Sequence, residues 1–267
     1  MSDLISLQRR ARDGEKLAML TCYDASFAAR VEAAGIDAIL VGDSLGMVIQ
    51  GQTSTLPVSL DEMAYHTAAV ARGARHSFII ADLPFGSYQQ HPAQALQSAT
   101  RLLAAGAHCV KLEGGAIMAE TVAFLTARGI PVCCHIGLQP QSVNATGGYR
   151  VQGRAHDAAQ QLISDAVQLD QCGAGMIVLE AIPAPLASQI TARTTAPTIG
   201  IGAGPDCSGQ VLVLYDALGI TPGKPPRFAQ NFMTDGCDLD MALAAYVRAV
   251  KQGDFPTTAH SFGTTAT

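Results

Sequence analysis

The stretch Ile39-Leu40-Val41-Gly42-Asp43 is a short apolar run that ends in an acid, and the chain repeats this arrangement three more times. The repeats are Phe78-Ile79-Ile80-Ala81-Asp82, Val110-Lys111-Leu112-Glu113 and Met176-Ile177-Val178-Leu179-Glu180. Each run is typical of a short buried strand. If the strands are parallel, their carboxyl ends meet and four carboxylates converge. Like charges repel, so the pattern predicts a divalent cation that neutralises some of them, with one acid left as a base.

Eight apolar runs alternate with helical patterns along the chain. A capping box, Ser59 to Glu62, predicts a helix over Leu60–Arg72, and Pro92 suits the first turn of a helix that extends to Ala105. Such alternation implies a parallel sheet, and eight strands in about 200 residues fit a closed (β/α)8 barrel of the TIM type. The predicted strands are Leu17–Cys22, Ala38–Gly42, Phe78–Ala81, Cys109–Leu112, Pro131–His135, Met176–Leu179, Pro197–Ile201 and Val211–Leu214.

Composition limits the class of protein. The chain has 267 residues, is 48% hydrophobic and 15% charged, and carries a net charge of −5. There is no basic patch for nucleic acid and no run of ~18 apolar residues for a membrane span. The polar segment Met1–Lys16 lacks a signal-peptide core, so we expect a cytoplasmic protein. No linker is visible, and we expect one domain over residues 1–267 with a loose tail from about Thr257.

One long connection leaves its role open. The connection Gly137–Arg154 is polar and glycine-rich, which is typical of a lid or binding loop but also of a mobile surface insertion.

The seven cysteines are scattered and form no C-x-x-C pair, so we expect small core residues and no disulfide framework or structural zinc.

Two short motifs suggest functions that the rest of the chain does not support. Gly42-Asp43-Ser44-Leu45 spells the signature of the GDSL esterases, but no histidine has the Asp three residues before it that those enzymes carry. Gly200-Ile201-Gly202-Ala203-Gly204 resembles a dinucleotide loop without its spacing. We interpret the second motif as a tight strand-to-helix turn whose backbone lies close to ligand or to neighbouring strands.

Lys111 lies in an apolar strand two residues before Glu113, so the two side chains share a face. A buried lysine requires a partner. It could form a Schiff base with a carbonyl substrate, act as a fixed cation for a substrate carboxylate, or make a core salt bridge to Glu113.

Six segments resemble successive motifs of the ketopantoate hydroxymethyltransferase family. The similarity runs in order from about Thr21 to Phe232, and the motifs are long and specific. The segments are VGDSLGMVIQGQTSTLPV (41–58), ADLPFGSY (81–88), VKLEGG (110–115), CHIGLQPQSVNATGGYRVQGR (134–154), VLEAIP (178–183) and GIGAGPDCSGQVLVLYDALGI (200–220).

The resemblance implies a barrel of the phosphoenolpyruvate mutase and isocitrate lyase type. It also implies transfer of a hydroxymethyl group from methylenetetrahydrofolate to 3-methyl-2-oxobutanoate, which gives 2-dehydropantoate for pantothenate and coenzyme A synthesis. Magnesium is the usual metal in the family, and its members form large homo-oligomers, commonly decamers.

Carried over by residue, the resemblance assigns the metal site to Asp43, Asp82 and Glu113. Ser44 and Lys111, with Asp43 and Asp82, match groups that hold the keto acid, and Glu180 matches the catalytic base. The chain departs from the family at Gln52-Thr53, where His-Asp is frequent, and at Ser208, where Asp is common. These departures put local loop contacts in doubt and not the activity.

The chemistry is consistent with these residue types. The C3 proton of a 2-oxo acid leaves only if the enolate oxygen is stabilised, and carboxylate ligands suit magnesium for that task. His135, at another strand end, could bind substrate, shuttle a proton or be a core histidine. Two other functions compete: a carbon–carbon lyase on the same barrel, which a folate requirement would distinguish, and a non-catalytic scaffold, which has no need of four facing acids.

Overall fold

The computed structural model describes residues 3–264 and shows a closed barrel of eight parallel strands in the order β1 to β8, with β8 hydrogen-bonded to β1. All eight predicted strands are confirmed, with ends that shift by at most two residues. The strands are β1 Leu17–Thr21, β2 Ala38–Val41, β3 Phe78–Asp82, β4 Cys109–Glu113, β5 Val132–Gly137, β6 Met176–Glu180, β7 Thr198–Ile201 and β8 Gly209–Leu212.

Helices surround the barrel, and both helices predicted by residue are present. Ser59 and Glu62 form the expected capping box at the start of α4, and Pro92 occupies the first turn of α5. The α-helices are α1 Leu4–Arg12, α2 Ala25–Ala33, α3 Leu45–Val48, α4 Leu60–Gly73, α5 Pro92–Ala104, α6 Ala119–Thr126, α7 Val143–Thr146, α8 His156–Gln171, α9 Ala184–Thr191, α10 Leu214–Ala217 and α11 Leu239–Gln252. Among the described helices none is long and apolar enough to cross a membrane.

The buried residues form two layers, one between the strands and helices and one inside the barrel. Alternate residues of each strand face opposite sides, so Leu17 and Met19 of β1 belong to the inner layer while Ala18 and Leu20 belong to the outer one. Leu7 of α1 packs into the inner layer. The part of the barrel near the amino ends of the strands is therefore filled with apolar side chains. A ligand would find space at the carboxyl ends of the strands, which we call the upper end.

The glycine-rich segment after β7 differs from the prediction. We expected a strand-to-helix turn at Gly200–Gly204, but the chain passes from β7 to β8 without a helix. Gly202 and Gly204 adopt φ values of 65° and 83°. A Cβ on Gly200 would lie 2.9 Å from Gln210 Oε1 of the neighbouring β8, so the second half of the expectation, a backbone close to neighbouring strands, is correct.

Two segments expected to be irregular are more ordered than predicted. The Gly137–Arg154 connection contains a 3-10 helix, Pro140–Ser142, followed by α7. The tail expected to be loose from Thr257 forms a 3-10 helix at Thr258–His260, and Phe262 forms a bridge with Pro183. A packed aromatic side chain and a capped turn explain this order, which the Thr-rich composition does not reveal; residues 265–267 lie outside the described part.

The cysteines are all free thiols. Five of them are buried, and Cys172 and Cys237 are half-buried, in agreement with the interpretation as small core residues. Gln52 and Thr53, which depart from the family pattern, are exposed. The Ser208 amide donates a hydrogen bond to Thr198 Oγ1 (3.2 Å) and thereby connects the starts of β7 and β8, at the end of the barrel opposite the acids.

Candidate active site

The inner positions of the strands change from apolar to ionisable at the upper end of the barrel. On β3 the inward side chains are Phe78, Ile80 and Asp82, and on β4 they are Cys109, Lys111 and Glu113. The same two-residue period places His135 above Cys133 on β5, and Glu180 above Val178 on β6. The strands thus supply both the apolar floor and the charged groups of one chamber.

Asp43 reaches this chamber from the turn after β2. Its backbone N–H donates a hydrogen bond to Asp82 Oδ2 at 3.0 Å. Gly42 has no side chain to obstruct this contact, and a Cβ there would lie 2.8 Å from Ser44 Oγ. Ser44 Oγ in turn lies 2.9 Å from the hydroxyl of Tyr23, which holds it at the chamber wall.

The three carboxylates of Asp43, Asp82 and Glu113 are buried, with exposed fractions of 4%, 3% and 6%. Burial raises the pKa of Asp43, and the negative charges of Asp82 and Glu113 raise it further, to about 8. Burial also raises the pKa of Asp82, although Lys111 acts against it. Removing these charges from water is unfavourable, so the cluster needs positive charge to remain ionised.

Lys111 provides part of that charge, but its partner is not Glu113, the partner in one of the three roles considered for this lysine. Its Nζ lies 3.2 Å from Asp82 Oδ1, on the neighbouring strand, and not in an ion pair with Glu113. The sheet register explains this, because Asp82 of β3 is the register partner of Lys111 of β4. Burial lowers the pKa of Lys111, but Asp82, Glu113 and Asp43 outweigh burial and raise it, so the side chain is a stable cation.

His135 lies between two acids. Its Nδ1 is 3.4 Å from Glu113 Oε1, and its Nε2 is 3.1 Å from Glu180 Oε2. Burial and Lys111 lower the pKa of His135, but the carboxylates of Glu113 and Glu180 outweigh them and raise it to about 9. Burial raises the pKa of Glu113, but the hydrogen bond and charge of His135, together with the charge of Lys111, outweigh burial and lower it. The two carboxylates therefore favour the imidazolium form of His135, although the Lys111 ammonium also lies near, 3.4 Å from Nδ1.

Glu180 stands apart from the three clustered carboxylates. Its contact in the chamber is His135, and its side chain is 15% exposed, more than those of Asp82 and Glu113. Two backbone features fix the end of its strand. A Cβ on Gly137 would lie 2.3 Å from the Glu180 carbonyl oxygen, and Ala181 adopts a left-handed φ of 46°, which costs on the order of 1 kcal/mol.

All the residues predicted to form the site line one cavity of ≈ 550 Å³. This volume is within the usual range for a small-molecule site. The structure brings together Asp43, Ser44, Asp82, Lys111, Glu113, His135 and Glu180. Farther out, the cavity is lined by Asp216, Thr221, Lys224, Arg227, Phe228 and Phe262, none of which the sequence reasoning had selected.

Sequence reasoning also missed Tyr88 and Gln141, both of them buried. Gln141 Nε2 donates to Asp43 Oδ2 at 2.8 Å, and the Gln141 backbone N–H donates to Glu113 Oε2 at 3.0 Å. Gln141 lies in the long connection that we interpreted as a lid or an insertion. Only that location drew attention to it, because an uncharged glutamine carries no signal of its own.

The donor set fits a divalent cation, since hard carboxylate oxygens are the ligands that Mg²⁺ prefers. Asp82 Oδ1 is buried and accepts no hydrogen bond, although Lys111 is near it. In the arrangement described for residues 3–264, however, no three His, Cys, Asp or Glu side chains form a metal-ligand group. Asp43, Asp82 and Glu113 each contact another partner: Gln141, Lys111 and His135 respectively.

Comparison with known proteins gives concordant results. Residues 2–258 match the family described as ketopantoate hydroxymethyltransferase. A protein of Thiobacillus denitrificans named 3-methyl-2-oxobutanoate hydroxymethyltransferase is 61% identical over 97% of this chain and 98% of its own length. One of the same name from Nitrosospira multiformis is 59% identical, over 96% of this chain and 97% of its own.

Solved structures with a similar fold have much lower sequence identity. Phosphonopyruvate hydrolase aligns with a TM-score of 0.63 at 15% identity, over 82% of this chain and 84% of that one. 2,3-Dimethylmalate lyase, a member of the PEP mutase/isocitrate lyase superfamily, aligns with a TM-score of 0.59 at 17% identity, over 82% and 83%. These similarities confirm the predicted type of barrel.

The charge cluster makes the cation-free protein sensitive to pH. Since the folded-state pKa of Asp43 is about 8, above its ordinary value of 3.8, its contribution to stability is complete below pH 4 and is lost as the pH rises through 8. His135 acts in the same direction between 6.5 and about 9. In EDTA, Asp43→Asn should raise the free energy of unfolding at pH 8 by on the order of 2 kcal/mol and flatten its decline from pH 5 to 8.

Urea titrations at several pH values measure this effect. Asp61→Asn is the control, because its carboxylate is 80% exposed and its charge stabilises little. An Asp43→Asn protein with the pH slope of the wild type would contradict the role given to Asp43.

Proposed function

The chain belongs to the ketopantoate hydroxymethyltransferase family, and we propose that it transfers a hydroxymethyl group from methylenetetrahydrofolate to 3-methyl-2-oxobutanoate, giving 2-dehydropantoate for pantothenate synthesis. The observation that carries the proposal is the buried cluster of Asp43, Asp82 and Glu113 beside the Lys111 cation, with Glu180 held apart in the same cavity. This arrangement suits removal of a proton next to a carbonyl group.

We assign the divalent cation, Mg²⁺ as the family resemblance implies, to Asp43, Asp82 and Glu113. When bound, such a cation supplies the positive charge that stabilises the enolate oxygen of the substrate. Asp82 Oδ1, which accepts no hydrogen bond, supports this assignment, as does the rise in the pKa of Asp43 caused by its acidic neighbours.

Lys111 and Ser44 hold the 2-oxo acid in this proposal. The Lys111 ammonium is buried and remains charged, so it can neutralise the substrate carboxylate without forming a covalent adduct. Ser44 can donate a hydrogen bond to the substrate, since Tyr23 fixes its hydroxyl at the wall of the cavity.

Glu180 takes the proton from C3. As the C3–H bond breaks, its electron pair forms the enolate and the proton moves to the Glu180 carboxylate. Its position supports this role, because Glu180 is more exposed to the cavity than Asp82 or Glu113 and belongs to another strand. Water adds to the methylene carbon of methylenetetrahydrofolate and both of its C–N bonds break, which gives tetrahydrofolate and formaldehyde. The enolate carbon then forms the new C–C bond to the formaldehyde carbon as the C=O π bond opens, and the resulting alkoxide takes up the proton, so the hydroxyl oxygen comes from water.

His135 was predicted to bind the 2-oxo acid, and this stays a prediction. The Nε2 atom lies 3.1 Å from Glu180 Oε2 without an aligned hydrogen bond, so its hydrogen-bonding capacity is available to a ligand in the cavity.

The outer part of the cavity offers a place for the folate. Phe228 and Phe262 present apolar ring surfaces, and Lys224 and Arg227 present positive charge beside them. A folate has flat rings and a glutamate tail with carboxylates, which these groups complement. The predicted homo-oligomer, the decamer of the resemblance, and the cytoplasmic location stay predictions.

The two competing functions have weaker support. The carbon–carbon lyases among the structural relatives share only the fold at this level of identity. A scaffold without activity does not explain why three acids are buried against one another at the cost of a raised pKa for Asp43.

The first test is formation of 2-dehydropantoate, followed by chromatography. We expect product only when 3-methyl-2-oxobutanoate, methylenetetrahydrofolate and a divalent cation are all present; EDTA should abolish turnover and Mg²⁺ should restore it. Cleavage of 2-dehydropantoate in the absence of folate would favour the competing function, a carbon–carbon lyase. Borohydride trapping of the 2-oxo acid on Lys111 would contradict the non-covalent role of this lysine.

The second test concerns the base. Glu180→Gln retains the shape of the side chain but cannot accept the proton, so exchange of the C3 proton of 3-methyl-2-oxobutanoate with deuterated water should slow by ~10²-fold or more. NMR without folate isolates this step. Binding of Mg²⁺ should stay near the wild-type value, whereas Asp82→Asn should weaken it. Unchanged exchange in Glu180→Gln would exclude Glu180 and turn attention to His135.

The third test concerns the outer cavity. Lys224→Ala should raise the KM for methylenetetrahydrofolate several-fold, since an exposed ion pair contributes up to about 1 kcal/mol, and leave the KM for 3-methyl-2-oxobutanoate unchanged. Arg9→Ala is the matched control, because Arg9 is an exposed cation on α1, away from the cavity. Steady-state kinetics with each substrate varied in turn make the measurement. A change confined to the 2-oxo acid would contradict the placement of the folate.

A further inference from the structure

We infer that Gln141 is a positioning residue for the divalent cation: its side-chain amide fixes the Asp43 carboxylate, and Tyr88 fixes the amide. The inference rests on the proposed function for the existence of the cation site. The inference goes beyond the proposed function by assigning a task to two uncharged residues outside the proposed ligand set. Both are buried, Tyr88 with 1% and Gln141 with 5% of its surface exposed.

The Gln141 side chain uses its full hydrogen-bonding capacity. Nε2 donates to Asp43 Oδ2 at 2.8 Å and to the Leu83 carbonyl at 3.0 Å. Oε1 accepts from the Tyr88 hydroxyl at 2.7 Å and from Gln89 Nε2 at 3.2 Å. A primary amide has two donors and two acceptor positions, and all four are satisfied.

These partners determine which way the amide faces. If its oxygen and nitrogen exchanged places, the oxygen would face two acceptors, Asp43 Oδ2 and the Leu83 carbonyl. The nitrogen would face Gln89 Nε2, which is a donor. Only the orientation described presents an N–H to Asp43, so the donor is fixed before any ligand enters.

Tyr88 connects this amide to a second proposed ligand. The Glu113 backbone N–H donates to the Tyr88 hydroxyl at 3.0 Å, and that hydroxyl donates to Gln141 Oε1. A continuous chain of hydrogen bonds therefore leads from the backbone of Glu113 through Tyr88 and Gln141 to the carboxylate of Asp43. Each donor in such a chain is strengthened by the bond before it.

The Gln141 backbone completes the arrangement, because its N–H donates to Glu113 Oε2 at 3.0 Å. One residue thus contacts two of the three acids that we assign to the cation. Side-chain substitutions at Gln141 remove the contact to Asp43 but leave the contact to Glu113, so the side chain can be tested by itself.

Hydrogen bonds to metal-ligating carboxylates orient them, and their loss typically costs 10–100-fold in metal affinity. Gln141 holds Oδ2 of Asp43 and leaves the other oxygen available. Without the amide, Asp43 can rotate, and the repulsion from Asp82 and Glu113 that raises its pKa favours rotation away from the cluster. We therefore expect the cation to bind more weakly when the amide is removed.

The experiment is a calorimetric titration of the protein with Mg²⁺, with no substrate present. Gln141→Met keeps the length of the side chain and removes its hydrogen bonds, and should raise the dissociation constant ~10-fold or more. Tyr88→Phe should raise it by a smaller factor. Gln139→Met is the matched control, because Gln139 lies two residues away and makes no side-chain hydrogen bond in the described part of the chain, and it should bind as the wild type does.

The double variant separates a positioning role from general destabilisation. If Tyr88 acts through Gln141, adding Tyr88→Phe to Gln141→Met should weaken Mg²⁺ binding no further. Equal affinity in wild type and a folded Gln141→Met protein, or independent and additive effects of the two changes, would overturn the inference while leaving the proposed function in place. A wild type that binds no Mg²⁺ would instead overturn the cation assignment and this inference together.

Discussion

The structure of the upper barrel depends on one electrostatic constraint: four acids face two cationic side chains in one cavity, and three of the acids are buried. Asp43, Asp82 and Glu113 are buried, and Lys111 and His135 are the positive groups beside them. At short range and low dielectric, such charges interact by several kcal/mol, which is comparable to the stability of a whole domain. The raised pKa of Asp43 shows that the balance is incomplete without further positive charge.

The two-residue period of the strands lets the barrel bury apolar side chains that offset the unfavourable burial of these charges. The same inward positions carry apolar side chains at the bottom and ionisable ones at the top, as in Phe78, Ile80 and Asp82. The apolar layers stabilise the closed sheet, so the charged layer need not contribute to stability. The apolar residues that stabilise the barrel and the ionisable residues of the site therefore occupy successive inward positions on the same strands.

Much of the fold and of the position of the acids could be predicted from the sequence, because the periodicity of a strand is a local property. The eight strands and their parallel order could be predicted from apolar runs that alternate with helical patterns, and the gathering of the acids at one end from the four runs that end in Asp or Glu. The partner of Lys111 could not, because Glu113 is its neighbour in sequence but Asp82 is its neighbour in register. Register between strands is a property of the closed sheet and leaves no mark within a single strand.

The contacts of Gln141 and the direct passage from β7 to β8 were missed for a related reason. A glutamine in a polar connection resembles any solvated residue until the fold buries it against Asp43. The glycines after β7 predict a tight turn correctly, but a turn alone does not indicate whether a helix follows. Both features depend on what the distant parts of the chain place opposite them.

In the structure described, each of the three carboxylates of the proposed cation site has a partner of its own. Asp43 accepts from Gln141, Asp82 faces Lys111, and Glu113 faces His135. If a cation binds as we propose, these contacts would be exchanged for contacts to the cation, and the free energy of binding would be the difference between the two states. Such an exchange would release Lys111 from Asp82 and His135 from Glu113. Both groups line the cavity in which we place the 2-oxo acid, so loading of the cation would also prepare the positive groups for the substrate carboxylate.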